Sequence, residues 1–172
     1  LNVVINNAGI MKNEDITAAP DYLDIAEETI ATNLLGPIRL TAALLPHFLR
    51  KPHAAVLTVS SGLAFVPMVA TPTYSATKSA IHAYSMALRE QLKNTSVEVI
   101  EIAPPYVQTT LQGEKQATDE RAMPLDEFVA EVMGILTSRP DEKEVIVERC
   151  KPLRFAAENG NFAQVFGMVN SL

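Results

Sequence analysis

The chain has 172 residues, 48% apolar and 20% charged, with a formal net charge of −6. That balance excludes a disordered segment and supplies material for a packed core. The single cysteine, Cys150, excludes a disulfide scaffold and fits a reducing, cytoplasmic compartment. Neither nucleic acid nor membrane is expected as a partner. An acidic chain without a basic run lacks the charge that phosphate backbones demand, and no apolar stretch reaches the ~20 residues that span a bilayer.

Leu1-Asn2-Val3-Val4-Ile5 is apolar and β-branched, and Asn6-Asn7-Ala8-Gly9 stops it, as a buried strand ends in a tight turn. Residues 15–21 read as a loop. Residues 24–50 carry a long helical pattern, with Ile30, Leu34, Ile38, Ala42 and Leu45 as the stripe expected to face the core. Gly36-Pro37 interrupts it, and the proline is expected to bend the helix by removing a backbone hydrogen bond. A second strand follows at 54–59 (AAVLTV), then a loop at 60–72. A second helix at 73–92 places Ala80, Ile81, Tyr84, Ala87 and Leu88 at helical spacing. A third strand at 97–102 (VEVIEI) is stopped by Pro104-Pro105, and 106–123 is a polar loop. A third helix spans 124–138 with Pro124 in its first turn, a fourth strand spans 144–147, and short helical pieces fill 152–170. Uninterrupted apolar strands alternating with helices predict an α/β fold, a doubly wound parallel sheet covered on both faces, in a single domain over 1–172.

Such sheets bind ligands beyond the carboxyl ends of their strands. The informative positions are therefore Asn6 to Gly9, Ser60 and Ser61, and Pro104 to Thr109. The second helix brings Tyr74 and Lys78, four residues apart and so on one helix face. A phenol titrates near 10, and an ammonium one turn away is expected to lower that value. The pair then suits general acid/base work between a hydroxyl and a carbonyl. Ser61, 13 residues before Tyr74, stands where its hydroxyl can hold the substrate oxygen. His47, His53 and His82 show no ligand-like spacing, so no metal site is expected and the histidines read as surface or helix-end residues. Phe155, Phe162 and Phe166 read as core and interface residues.

The ordered set Asn6-Asn7-Ala8-Gly9, Asn33, Ser61, Tyr74, Lys78 and Pro104-Pro105-Tyr106-Val107-Gln108-Thr109 resembles the short-chain dehydrogenase/reductase family over essentially the whole chain. The resemblance implies an oxidoreductase moving a hydride between NAD or NADP and a small-molecule carbonyl or secondary alcohol. It implies a catalytic tetrad of Asn33, Ser61, Tyr74 and Lys78. Tyr74 would be the acid/base, Lys78 would tune it and hold the nicotinamide ribose, Ser61 would orient the carbonyl, and Asn33 would bind a relay water through a helix distortion. Asn7, Ala8 and Gly9 would line the adenine-side ribose, and Val107 and Thr109 would contact the nicotinamide carboxamide. Tyr74 and Lys78 would serve both catalysis and cofactor binding.

By the same resemblance the four strands match strands 4 to 7 of a Rossmann-like sheet of order 3-2-1-4-5-6-7. The chain then looks N-terminally truncated by roughly 75 residues. Two departures stand out. Pro105 replaces the family's usual glycine, and no glycine-rich phosphate turn occurs. Residues 1–172 alone are accordingly expected to be inactive, and a homodimer or homotetramer is expected from small residues along the second helix. The rival readings are a non-catalytic protein that keeps the fold for binding or assembly, and an epimerase or dehydratase of the extended family.

Overall fold

In the computed structural model, which describes residues 1–171, four strands form one parallel sheet. Spatial order follows chain order: β1 (Val3–Asn6), β2 (Ala54–Val59), β3 (Val97–Ala103) and β4 (Glu144–Ile146). The crossover from β1 to β2 is α1 (Leu23–Ile30), a π-helical turn (Ala31–Leu35) and α2 (Gly36–Phe48). The next is α3 (Pro72–Leu92), and the third is α4 (Glu114–Ala117) with α5 (Leu125–Ser138). Short helices α6 (Lys151–Arg154) and α7 (Phe162–Asn170) follow β4. Among the described residues, no helix is long and apolar enough to cross a membrane.

The period-two alternation of the strands decides what each face buries. Ala54 and Val56 of β2 and Val97 and Val99 of β3 pack with Phe48, Leu88 and Leu92 of α2 and α3. Their neighbours Leu57, Ile100 and Ile102 point the other way, onto Val132 and Ile135 of α5. Each such side chain contributes roughly 1.5–3 kcal/mol of burial, so both faces must be covered, and the sheet is doubly wound and Rossmann-like. On the second face β1 leaves Val3 and Ile5 exposed. Its outer edge carries no strand among the described residues.

The long helical segment departs from its sequence pattern. The residues it buries are Ala26, Thr29, Asn33, Pro37, Thr41 and Phe48. The expected stripe of Ile30, Leu34, Ile38, Ala42 and Leu45 is half-buried or exposed. A helix apolar on more than one arc has no unique stripe, and here a small, polar arc wins because it permits close approach. Thr41, for example, accepts a hydrogen bond from the Asn6 side chain at 3.3 Å. The distortion also lies one turn upstream of the predicted bend. The Gly36 N–H reaches back five residues to the Ala31 carbonyl, and Pro37 falls in the first turn of α2. Pro37 has no N–H to offer the carbonyl of Asn33.

The face of α3 that meets the sheet is likewise polar in part. Thr58 and Ser85 share a buried hydrogen bond of 2.7 Å, whereas Ala87 of the predicted stripe is exposed. Smaller boundary differences follow from local chemistry. Pro124 stands just outside α5 as its capping residue, β4 ends one residue early at Ile146, and the loop after β3 holds the short helix α4.

Candidate active site

At the carboxyl ends of β1, β2 and β3 the chain segments converge on the first turns of α3. The backbone after β1 runs close to Asn33 and Lys78. A Cβ placed on Gly9 would stand 3.4 Å from Asn33 Oδ1 and 3.7 Å from Lys78 Nζ. Asn7 and Ala8, just before it, are exposed at the mouth of the sheet. Asn33 is buried inside the π turn, and its amide is committed to structure. Its Oδ1 accepts from the Ile10 N–H at 2.9 Å, and its Nδ2 donates to the Ile10 carbonyl at 2.8 Å and to Thr77 Oγ1 at 3.4 Å. The side chain thus clamps the segment after Gly9 onto α3.

Tyr74 and Lys78 are buried one turn apart. Tyr74 and Ser61 line the same cavity, and Ser61 Oγ accepts from the Leu63 N–H at 3.1 Å. Lys78 donates to the Val59 carbonyl at 2.8 Å, with its Nζ 5.5 Å from the Tyr74 ring centroid. Burial pushes the Tyr74 phenol up to about 12, with the nearby Ser61 hydroxyl pulling weakly the other way. Burial pushes Lys78 down to about 8. The expectation that Lys78 depresses the phenol therefore does not hold for this arrangement. The ammonium is bonded to a backbone carbonyl, and desolvation of the phenolate outweighs its attraction.

A cavity of about 470 Å³ opens beside these groups, with Ser61, Gly62 and Tyr74 on one wall and Pro104, Pro105 and Tyr106 on another. The Gly62 N–H donates to the Pro104 carbonyl at 2.8 Å, which ties the serine turn to the end of β3. A Cβ on Gly62 would lie 2.9 Å from Leu153 Cδ2 and 3.3 Å from Cys150 Sγ, so glycine permits this contact. Burial holds the Cys150 thiol up at about 12, which makes it a packing group. Past Pro105, Val107 is buried and Thr109 half-buried. Gln116 of α4 donates to both, to the Val107 carbonyl at 2.8 Å and to Thr109 Oγ1 at 3.2 Å.

Gln116 is one of several residues that carried no signal in the sequence. Glu14 is another. Its carboxylate is buried and accepts from the Thr73 N–H at 3.2 Å and the Thr73 hydroxyl at 2.6 Å, capping α3 next to Tyr74. His82 is a third. It is neither a surface nor a helix-end histidine but half-buried in mid-helix, 2.8 Å from the fully buried carboxylate of Glu101. The ligand atoms of His82, Glu101 and Glu144 lie within 4.8 Å of one another. Arg154 occupies Glu144 at 2.9 Å, so the cluster carries its own counter-charges.

The sequence model described as short chain dehydrogenase matches residues 1–120. The chain belongs to the short-chain dehydrogenase family. The chain is 38% identical to the uncharacterized oxidoreductase DltE of Bacillus subtilis (strain 168), over 99% of the chain and 68% of that protein. It is 29% identical to the human 17-beta-hydroxysteroid dehydrogenase type 3, over 80% of the chain and 44% of that enzyme. Among solved structures, a short-chain dehydrogenase from Burkholderia cenocepacia J2315 in complex with NADP shares the fold, with a TM-score of 0.80 at 22% identity, covering 95% of this chain and 69% of that one. The family is one of oxidoreductases.

Proposed function

We propose that the protein carrying this chain moves a hydride between NAD(P) and a carbonyl or secondary alcohol, with Tyr74 as general acid/base. The observation that carries the reading is that Tyr74 and Ser61 line one cavity, with Lys78 buried one turn behind Tyr74. The residues present fit the nicotinamide and ribose end of the cofactor. Asn7 and Ala8 are open at the mouth of β1, Gly9 lies beside Asn33 and Lys78, and Val107 and Thr109 are held in place by Gln116. These residues would hold NAD(P), whose contribution there would be the hydride given up or taken up.

The chain's own residues do the rest. Ser61 Oγ donates to the substrate oxygen, and Tyr74 Oη gives that oxygen its proton on reduction or removes it on oxidation. Lys78 would hold the ribose of the cofactor, and its charge would favour the phenolate. The Asn33 carbonyl holds a water that passes protons between solvent and Lys78. Residues 1–172 belong to one domain of that protein, which acts in the cytoplasm. Tyr74→Phe in the complete protein is expected to reduce turnover to background while nucleotide binding stays within a few-fold. A variant that keeps full rate overturns Tyr74 as the base.

A further inference from the structure

The cavity beside Tyr74 and Ser61 has features a neutral carbonyl compound does not need. Its walls are largely apolar, built from residues such as Met11, Leu63, Met68 and Leu153. Two cations line it, Arg121 and Arg149, and no carboxylate does. That is notable in a chain with a net charge of −6.

The two arginines differ. Arg121 is occupied, its guanidinium holding Asp119 at 2.7 Å and 3.0 Å. Arg149 is exposed to the cavity and has no hydrogen-bond or ion-pair partner among the described residues. The cations nearby in sequence are paired, Lys151 with Glu148 and Arg154 with Glu144 and Glu158. The segment that carries Arg149 is also fixed against the catalytic wall. Its neighbour Cys150 is fully buried, and a Cβ on Gly62, the residue after Ser61, would stand 3.3 Å from the Cys150 sulfur. A planar guanidinium offers a carboxylate two parallel donors.

We propose that the substrate is an apolar oxo acid or the corresponding hydroxy acid, its carboxylate held by Arg149 while its carbonyl or hydroxyl rests on Ser61 and Tyr74. The inference rests on the hydride-transfer reading above. A charge-assisted pair of this kind raises selectivity for the acid about tenfold to a hundredfold.

The test uses the complete protein with 5-oxodecanoate, 7-oxodecanoate and their methyl esters, each followed by nicotinamide absorbance and by calorimetric binding. The wild type is expected to favour at least one acid over its ester by about tenfold or more in kcat/KM, mainly through KM. Arg149→Gln is expected to abolish that preference, and Arg149→Lys to restore part of it. An acid-to-ester ratio near one in the wild type, or a ratio that survives Arg149→Gln, overturns the proposal. If no probe is turned over, the hydride-transfer reading fails for these substrates, and binding still decides the anion site. Tighter binding of acid than ester that Arg149→Gln removes supports it, and equal binding of the two overturns it.

Discussion

Lys78 shows how far burial sets the behaviour of a single side chain. Its ammonium titrates near 8 in the folded protein against a reference value of 10.5. Between those values the unfolded chain binds the extra proton, so stability rises with pH from about 8 to about 10.5. Below pH 8 the full cost of burying the charge is present, on the order of 3 kcal/mol. Lys78→Met removes that cost and leaves the Val59 carbonyl without its donor, a loss of about 1 kcal/mol. The variant is expected to be more stable than wild type by roughly 2 kcal/mol in urea unfolding at pH 7, with the gain crossing zero near pH 10 and turning into a loss of about 1 kcal/mol above it. A gain equal at both pH values refutes the depressed lysine. Tyr74 runs the opposite way. Its raised value contributes stability that is complete below pH 10 and is lost as pH climbs through about 12.

At the scale of elements, the catalytic helix α3 is held at its first turn by a residue from another segment. Its N-terminal residue Thr71 makes no side-chain cap, and its hydroxyl is buried without a partner. Glu14 supplies the missing acceptor through the Thr73 N–H and hydroxyl, and a carboxylate there also suits the helix dipole. Glu14→Ala is expected to cost about 1–2 kcal/mol, the usual worth of a cap. It should also lower kcat, because Tyr74 is the next residue along the helix. Glu14→Gln keeps one acceptor and should recover part of both. Unfolding midpoints and initial rates of the two variants check this, and an unchanged kcat in Glu14→Ala shows that the cap does not position Tyr74.

At the scale of the molecule, the buried polar arcs of α2 and α3 leave apolar side chains pointing outward. Leu40 of α2 and Met86 of α3 are 45% and 54% exposed, and Ala76, Ala83 and Ala87 form a flat, exposed strip on α3. Exposed apolar side chains of this kind suit a partner surface, and a second copy of the chain is the occupant we propose, giving a homodimer or homotetramer. Light scattering of the complete protein is expected to report two or four protomers. Met86→Glu should shift that mass toward the monomer, and a monomeric wild type overturns the arrangement.

The strand–helix alternation was legible in the sequence because apolar runs and turn residues act locally. It placed every strand and each of the longer helical segments to within a few residues, and it pointed to the segments after β1, β2 and β3 as the site. Periodicity did not tell which arc of residues 24–50 faces inward, since two arcs compete and only the fit against β1 and α3 selects between them. A helix distortion at Asn33 was implied by the family resemblance and not by periodicity, and what holds Asn33 there, its bond to Ile10 across 23 residues, has no local signature. Glu14, Gln116 and the His82–Glu101 pair carry no pattern at all, their partners lying at sequence separations of 59, 9 and 19. The sequence by itself determined which residue types stand at the carboxyl ends of the strands. Only the tertiary structure decided their state, because desolvation and long-range hydrogen bonds exist only once the chain has closed around Tyr74 and Lys78.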